Sequence, residues 1–280
     1  MEVYPPETIA ERVQSVGVAK ARLDFWSMLT LSVLAGAFIA LGGIFYTSVT
    51  VGAQPLSGST LFLGGVAFSL GLILVVLAGA ELFTGNNLLV IAAVSRKITL
   101  PQLLRAWAIV YTGNLLGATV TAALTYLSGQ WRNHDYAFST RALTLAVHKV
   151  NLGASEAFFL GILANILVCL AVWLSMGGRS ATDKILAIVF PVTAFVASGF
   201  EHSIANIYFL TMGLLLTYPP EVGTHLLRQQ PLNLDNLTPS GLIGNLLPVT
   251  LGNMVGGALF VGLVYWFIYL RPPASKKLPS

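Results

Sequence analysis

The chain has 280 residues, of which 55% are hydrophobic and only 9% charged, with a mean hydropathy of +0.78. Soluble domains carry about 25% charged residues, so the composition defines an integral membrane protein and excludes a soluble enzyme. The net charge of +4 comes from basic residues at the ends of apolar runs, not from one patch, so it points to membrane orientation and not to nucleic acid. A single cysteine, Cys169, inside an apolar run, excludes a disulfide framework.

Pro6 near the start, with Ile9, Val13 and Val16 on one face, predicts a short amphipathic helix to Arg22. Such a helix lies on the membrane surface or packs on a neighbouring subunit. The first apolar run begins only at about Trp26 after charged residues, which predicts no cleavable signal. Apolar runs then fall at about 27–49, 61–94, 104–127, 153–176, 185–216 and 242–270. This predicts an all-α bundle of six spans, with residues 1–26 a cytoplasmic amphipathic segment, 27–270 the six-span domain and 271–280 a cytoplasmic tail. Arg12, Lys20, Arg22, Arg96, Lys97, Arg105, Arg179, Lys184, Arg271, Lys276 and Lys277 fall on one side, and Arg132, Arg141, Lys149 and Arg228 on the other. That excess sets both termini in the cytoplasm. The stretch 129–150 reads as a loop that, like the stretch 218–240, is polar, outside and long enough to cover a vestibule.

The second and fifth runs are too long for one straight crossing. A run of ~33 residues is ~50 Å of helix at ~1.5 Å per residue, whereas a bilayer core is ~30 Å thick. Each also holds a polar knot, Gly79-Ala-Glu-Leu-Phe-Thr-Gly-Asn-Asn87 and Gly199-Phe-Glu-His-Ser-Ile-Ala-Asn206. The expected solution is a helix broken at mid-membrane, tolerated where protein buries it or it lines a cavity. The two halves also match. Ala35-Gly36 answers Leu160-Gly161, Gly79–Glu81 answers Gly199–Glu201, and Gly113-Asn114 with Gly117 answers Gly252-Asn253 with Gly256. Three spans per half make this an inverted repeat, and paired interruptions in such repeats mark a transport pathway. The recurring glycines read as close helix contacts.

Ionisable groups at membrane depth are costly and need a reason to be there. His202 is the only intramembrane histidine; His134, His148 and His225 lie outside. Beside a helix break it reads as a pathway group, mostly neutral yet able to give or take a proton, or only a hydrogen-bond donor in a neutral small-solute pore. Glu81 and Glu201 read as structural, accepting hydrogen bonds from backbone N–H groups freed by the breaks. Thr84, Asn165 and Asn253 offer neutral hydrogen bonds to a passing ion or to neighbouring helices. Lys149 sits where a positive charge would concentrate anions at a pore mouth. Phe68, Leu72, Phe83, Val168, Phe195 and Phe200 are candidates for apolar constrictions. A bis-histidine haem would need a second membrane histidine, and no nucleophile–base pair lies at one depth. Neither an enzyme, a cofactor nor a metal site is therefore expected.

At these residues the chain resembles the formate/nitrite transporter family. The matching stretches are Phe-Ser-Leu-Gly-Leu at 68–72, Glu-Leu-Phe-Thr at 81–84, His-Lys-Val at 148–150, and Asn165 with Val-Cys-Leu-Ala-Val-Trp at 168–173. They continue with Ser-Gly-Phe-Glu-His-Ser-Ile-Ala-Asn at 198–206, Asn-Leu-Leu-Pro-Val-Thr-Leu-Gly-Asn at 245–253 and Tyr265-Trp266. The likeness runs from about Ala19 to Arg271. It implies an aquaporin-like six-span protomer in the cell (inner) membrane, a homo-pentamer with one pore per subunit, and transport of formate, nitrite, hydrosulfide or related small monovalent anions. It also implies that His202 is the central pore histidine, Lys149 the vestibule lysine and Asn165 a near neighbour of the pore. Leu72 and Phe200 would face Phe68, Phe83, Val168 and Phe195 around two constrictions, and Thr84 would belong to the loop interrupting the second span. Two departures bear on substrate choice. Gly85-Asn86-Asn87 stands where formate channels of the family often have Ser, and the segment after Asn206 lacks a proline before Met212.

Overall fold

In the computed structural model the described residues are 3–53, 57–223 and 232–272. His225, Arg228, Lys276, Lys277 and most of the 271–280 tail lie outside them. Among the described residues there is no strand, and ten helices carry the fold. They are α1 (Pro6–Ala21), α2 (Phe25–Val49), α3 (Gly58–Ala78), α4 (Gly85–Val94), α5 (Leu100–Leu127), α6 (Ala137–Val150), α7 (Ala154–Gly177), α8 (Ala181–Ala197), α9 (Ser203–Leu215) and α10 (Pro239–Tyr269). Among the described residues, α2, α3, α5, α7 and α10 are each long and apolar enough to cross a membrane. The predicted second span is α3 with α4, and the predicted fifth is α8 with α9, neither of which is long enough alone.

Local chemistry sets the ends. Asp24 caps α2 through the Trp26 and Ser27 N–H groups, and capping boxes start α5 at Thr99–Gln102 and α8 at Ser180–Asp183. At the breaks, α3 and α8 stop the same way. Gly79 (φ +81°) and Gly199 (φ +70°) adopt the left-handed conformation. The next N–H in each case, from Ala80 or Phe200, folds back onto Val75 or Phe195 at 2.9 and 3.0 Å. This is the Schellman stop, and glycine adopts it without a Cβ penalty.

The five helices of the first half recur in the second, so α1 answers α6, α2 answers α7, and so on to α5 and α10. Lys20 and Lys149 stand 129 residues apart, as do Leu31 and Leu160, while Glu81 and Glu201 stand 120 apart. The repeat thus reaches one helix further towards the N-terminus than three spans per half. α2 crosses α5 where a Cβ on Gly117 would strike the Val33 carbonyl, and α7 crosses α10 where one on Gly256 would strike that of Ile162. The same small-residue crossing therefore closes both halves.

Two elements differ from the sequence expectation. α1 packs on its own chain, against α4, α7 and α10, burying Ile9, Ala10, Val13 and Gly17. The stretch 129–150 is largely helical, with α6 burying Phe138, Ala142, Ala146 and Lys149 on one face. α10 also contains a π-helical segment, Val255–Leu263. It seats Gly257 where a Cβ would collide with the Asn165 amide, and π-bulges accommodate such local insertions.

Candidate functional site

Each break frees backbone groups in a buried layer, and unsatisfied groups there cost several kcal/mol on the scale of ~2–7 kcal/mol per group. One asparagine per half takes one freed N–H and one freed carbonyl and ties them to a neighbouring helix. Asn114 on α5 accepts from the Phe83 N–H through Oδ1 (2.8 Å) and donates through Nδ2 to the Ser32 and Glu81 carbonyls (2.7 and 2.9 Å). Asn253 on α10 accepts from the Ser203 N–H (2.9 Å) and donates to Gly161 and Glu201 (2.8 and 2.9 Å). Contrary to the sequence expectation, the glutamate side chains do not accept from those N–H groups. Their own N–H groups donate to the Leu31 and Leu160 carbonyls at 3.2 and 3.3 Å.

The carboxylates instead hold lysines. Glu201 Oε1 accepts from Lys149 Nζ at 2.6 Å, and its Oε2 from the Asn206 amide at 2.6 Å. Glu81 Oε2 accepts from Lys20 Nζ at 3.1 Å and from the Asn86 amide at 2.7 Å. Asn245 completes the second cluster, donating to the Lys149 carbonyl at 2.9 Å and accepting from Asn206 at 2.8 Å. The lysine that the sequence placed at a pore mouth is therefore buried and balanced by a carboxylate.

The two halves meet at His202 and Thr84. The imidazole Nε2 and the Thr84 hydroxyl are 2.8 Å apart. His202 caps α9, its Nδ1 accepting from the Ala205 N–H at 3.1 Å. An Nδ1 that accepts carries no proton, so this network assigns the proton to Nε2, which donates to Thr84 Oγ1. The Thr84 carbonyl accepts from Asn165 Nδ2 (3.2 Å) and Cys169 Sγ (3.3 Å), and Asn165 also donates to the Asn253 carbonyl at 2.6 Å. Phe195 stacks on the His202 ring with centroids 5.9 Å apart, and Phe68 meets Phe195 edge-on at 5.8 Å.

Two cavities approach this junction. One, of about 440 Å³ beside α6, is lined by Phe68, Lys149, Phe195, Phe200, His202 and Arg141 among others. The other, of about 160 Å³ beside α1, is lined by Leu72, Val75, Leu82, Val172, Lys20 and Glu81 among others. Phe68 and Leu72, one turn apart on α3, thus face opposite cavities. Phe83 packs against Trp107 and Tyr111 instead (6.4 and 5.0 Å between centroids). Phe83, Thr84, Val168, Asn165 and Asn253 line neither cavity; they are buried around the junction. Among the described residues no cluster of His, Cys, Asp or Glu could hold a metal ion.

Sequence reasoning passed over Asn114 as a site residue, although its match to Asn253 was visible. It also passed over Lys20, Asn245 and Arg141. The 129-residue spacing that links Lys20 to Lys149 was the available signal for the first.

Apolar spans, paired interruptions and a polar junction between two cavities define a multi-pass membrane transport protein. A sequence profile of the formate/nitrite transporters matches residues 7–267. The chain is 44% identical to the formate channel FocA of Escherichia coli (strain K12) over 270 residues, 95% of this chain and 94% of that protein. A solved pentameric formate channel with formate bound superposes with a TM-score of 0.81 at 41% identity, covering 88% of this chain and 98% of that one. A solved FNT family ion channel gives a TM-score of 0.81 at 30% identity, covering 93% and 98%. The chain belongs to the formate/nitrite transporter family.

Proposed function

We propose that this protein carries small monovalent weak-acid anions, formate foremost, across the cell (inner) membrane as a homo-pentamer with one pathway per subunit. The observation that carries this reading is the 2.8 Å contact between His202 and Thr84, which joins the two broken spans between two cavities. The names of the similar proteins, a formate channel and a pentameric formate channel with formate bound, support the anion and the subunit number. The excess of basic residues on the α1 side supports cytoplasmic termini, with the α6-side cavity facing outward.

Like an aspartate side chain, with its pKa of about 3.9, formic acid is almost wholly ionised at neutral pH. Taking that charge through an apolar layer costs several kcal/mol even after relaxation. His202 lowers the cost by supplying a proton. The ring, once it leaves the Ala205 N–H, takes a second proton from the outer cavity. It then gives one to a carboxylate oxygen, leaving neutral imidazole and neutral acid, and the acid crosses between Phe68 and Leu72 and ionises beyond. The Ala205 bond supports a second reading, in which Nδ1 stays engaged and His202 remains a neutral donor that steadies the anion with no proton carried. The test is formate uptake into proteoliposomes against pH, with internal pH recorded, for wild type and His202→Asn. The relay predicts acidification that tracks uptake in wild type and is lost in the variant. Uptake with the wild-type rate and pH dependence in His202→Asn contradicts it.

A further inference from the structure

The outer cavity contains a cation that the transport mechanism above does not use. Arg141, on α6, is 5% exposed and lines that cavity. Its Nε donates to Thr50 Oγ1 and its Nη2 to the Tyr46 hydroxyl, both at 2.9 Å. No carboxylate lies within ion-pair distance of it among the described residues. A guanidinium has five N–H donors, so both hydrogens on Nη1 and one on Nη2 are left without a protein acceptor there. Buried charges are ordinarily paired, and the partner that this one lacks is an anion.

The charges around the two cavities differ. In the outer one, Glu201 balances Lys149, and Arg141 is left over. In the inner one, Glu81 balances Lys20, and no further charged side chain lines the wall. The repeat makes the contrast more specific, because the counterpart of Arg141, 129 residues earlier, is Arg12. Arg12 turns away from the inner cavity and lies over the Tyr4 ring, 4.4 Å from its centroid. The same position thus holds an arginine in both halves, and only one of them faces the pathway.

We propose that Arg141 is an anion-capture site in the outer cavity, ahead of the His202 junction, and that it selects planar anions with two oxygens over spherical ones. A guanidinium edge pairs with two oxygens at once, which a halide or hydrosulfide cannot match. The thread of Thr50 and Tyr46 bonds holds the fork in place with its remaining donors free. This inference rests on the transport reading and names how substrate is recognised on the outer side.

The test is uptake from the outer side into proteoliposomes at varied formate and salt concentration, for wild type, Arg141→Gln and Arg141→Lys, with chloride and hydrosulfide as competitors. Arg141→Gln raises the half-saturating formate concentration about tenfold, as expected for a lost charge-assisted hydrogen bond, and flattens its salt dependence. Arg141→Lys restores the salt dependence but lets the spherical anions compete. A purely bracing role predicts neither change, so wild-type half-saturation, salt dependence and competition in Arg141→Gln overturn the proposal. If wild type carries no small anion at all, the transport reading itself is what fails. Should Arg141→Gln not assemble, wild-type crystals soaked in bromoacetate decide. Anomalous density with the carboxylate on the Arg141 Nη atoms supports the site, and a cavity without it overturns the site.

Discussion

The break between α3 and α4 and the break between α8 and α9 are built alike and equipped differently. Both stop on a left-handed glycine, both hand their freed N–H to an asparagine of the last span in their half, and both set a glutamate against a lysine. Yet position 202 is histidine where its repeat mate, position 82, is leucine, and position 84 is threonine where its mate, position 204, is isoleucine. The scaffold is symmetric and the chemistry is not. Buried backbone groups demand the same solution wherever a membrane helix is interrupted, so that part is duplicated. At the His202–Thr84 contact each half instead gives one member.

The largest expected effect tests the shared part. Asn114→Ala and Asn253→Ala each orphan one N–H and one carbonyl of a break, at about 1–3 kcal/mol per group. Thermal unfolding in detergent is expected to show both variants failing to hold a folded protein, and to similar degrees. A tolerated variant on one side alone would break the symmetry.

The ion pairs are expected to differ in size. Glu201→Gln leaves Lys149 buried and unpaired, with side-chain exposures of 11% and 2% in the pair, and breaking such a pair costs about 3–5 kcal/mol. Glu81→Gln frees Lys20, whose side chain is 26% exposed, so water recovers much of the loss and about 1 kcal/mol remains. Denaturation midpoints of the two variants measure the gap, and equal losses would show the inner pair to be as dry as the outer.

The smallest effect lies at the start of α2. Hydrogen bonds from the Ser27 side chain, and then from the Ser27 and Trp26 N–H groups, hold the Asp24 carboxyl below the usual carboxylate range. A depressed value means stability that is present above the ordinary pKa of about 3.9 and lost as pH falls through the lowered one. Asp24→Ala is therefore expected to melt slightly below wild type at neutral pH. The two should converge in acid, as parallel melts across pH would show.

Much of this was legible in the chain itself. The 79–87 and 199–206 knots in over-long apolar runs announced the breaks, and the Gly-Asn pairs at 113 and 252 announced the repeat. α6 was harder because its buried face includes Arg141 and Lys149, which read as solvated charges. The partners of Glu81 and Glu201 were hidden for a related reason. A lysine 61 residues away in one half and 52 in the other becomes a neighbour only once the amphipathic helices are docked. The commitment of Asn253 to backbone groups was likewise invisible, since its amide suits a passing ion as well as a helix contact.

The most direct measurement of the central claim, that the two halves meet at a working contact between His202 and Thr84, is a double-mutant cycle on formate flux. Wild type, Thr84→Val, His202→Asn and the double variant are compared in proteoliposomes at one pH. A working contact predicts that the second substitution adds little once the first is made, because either one removes the shared hydrogen bond. Independent, additive losses would contradict it.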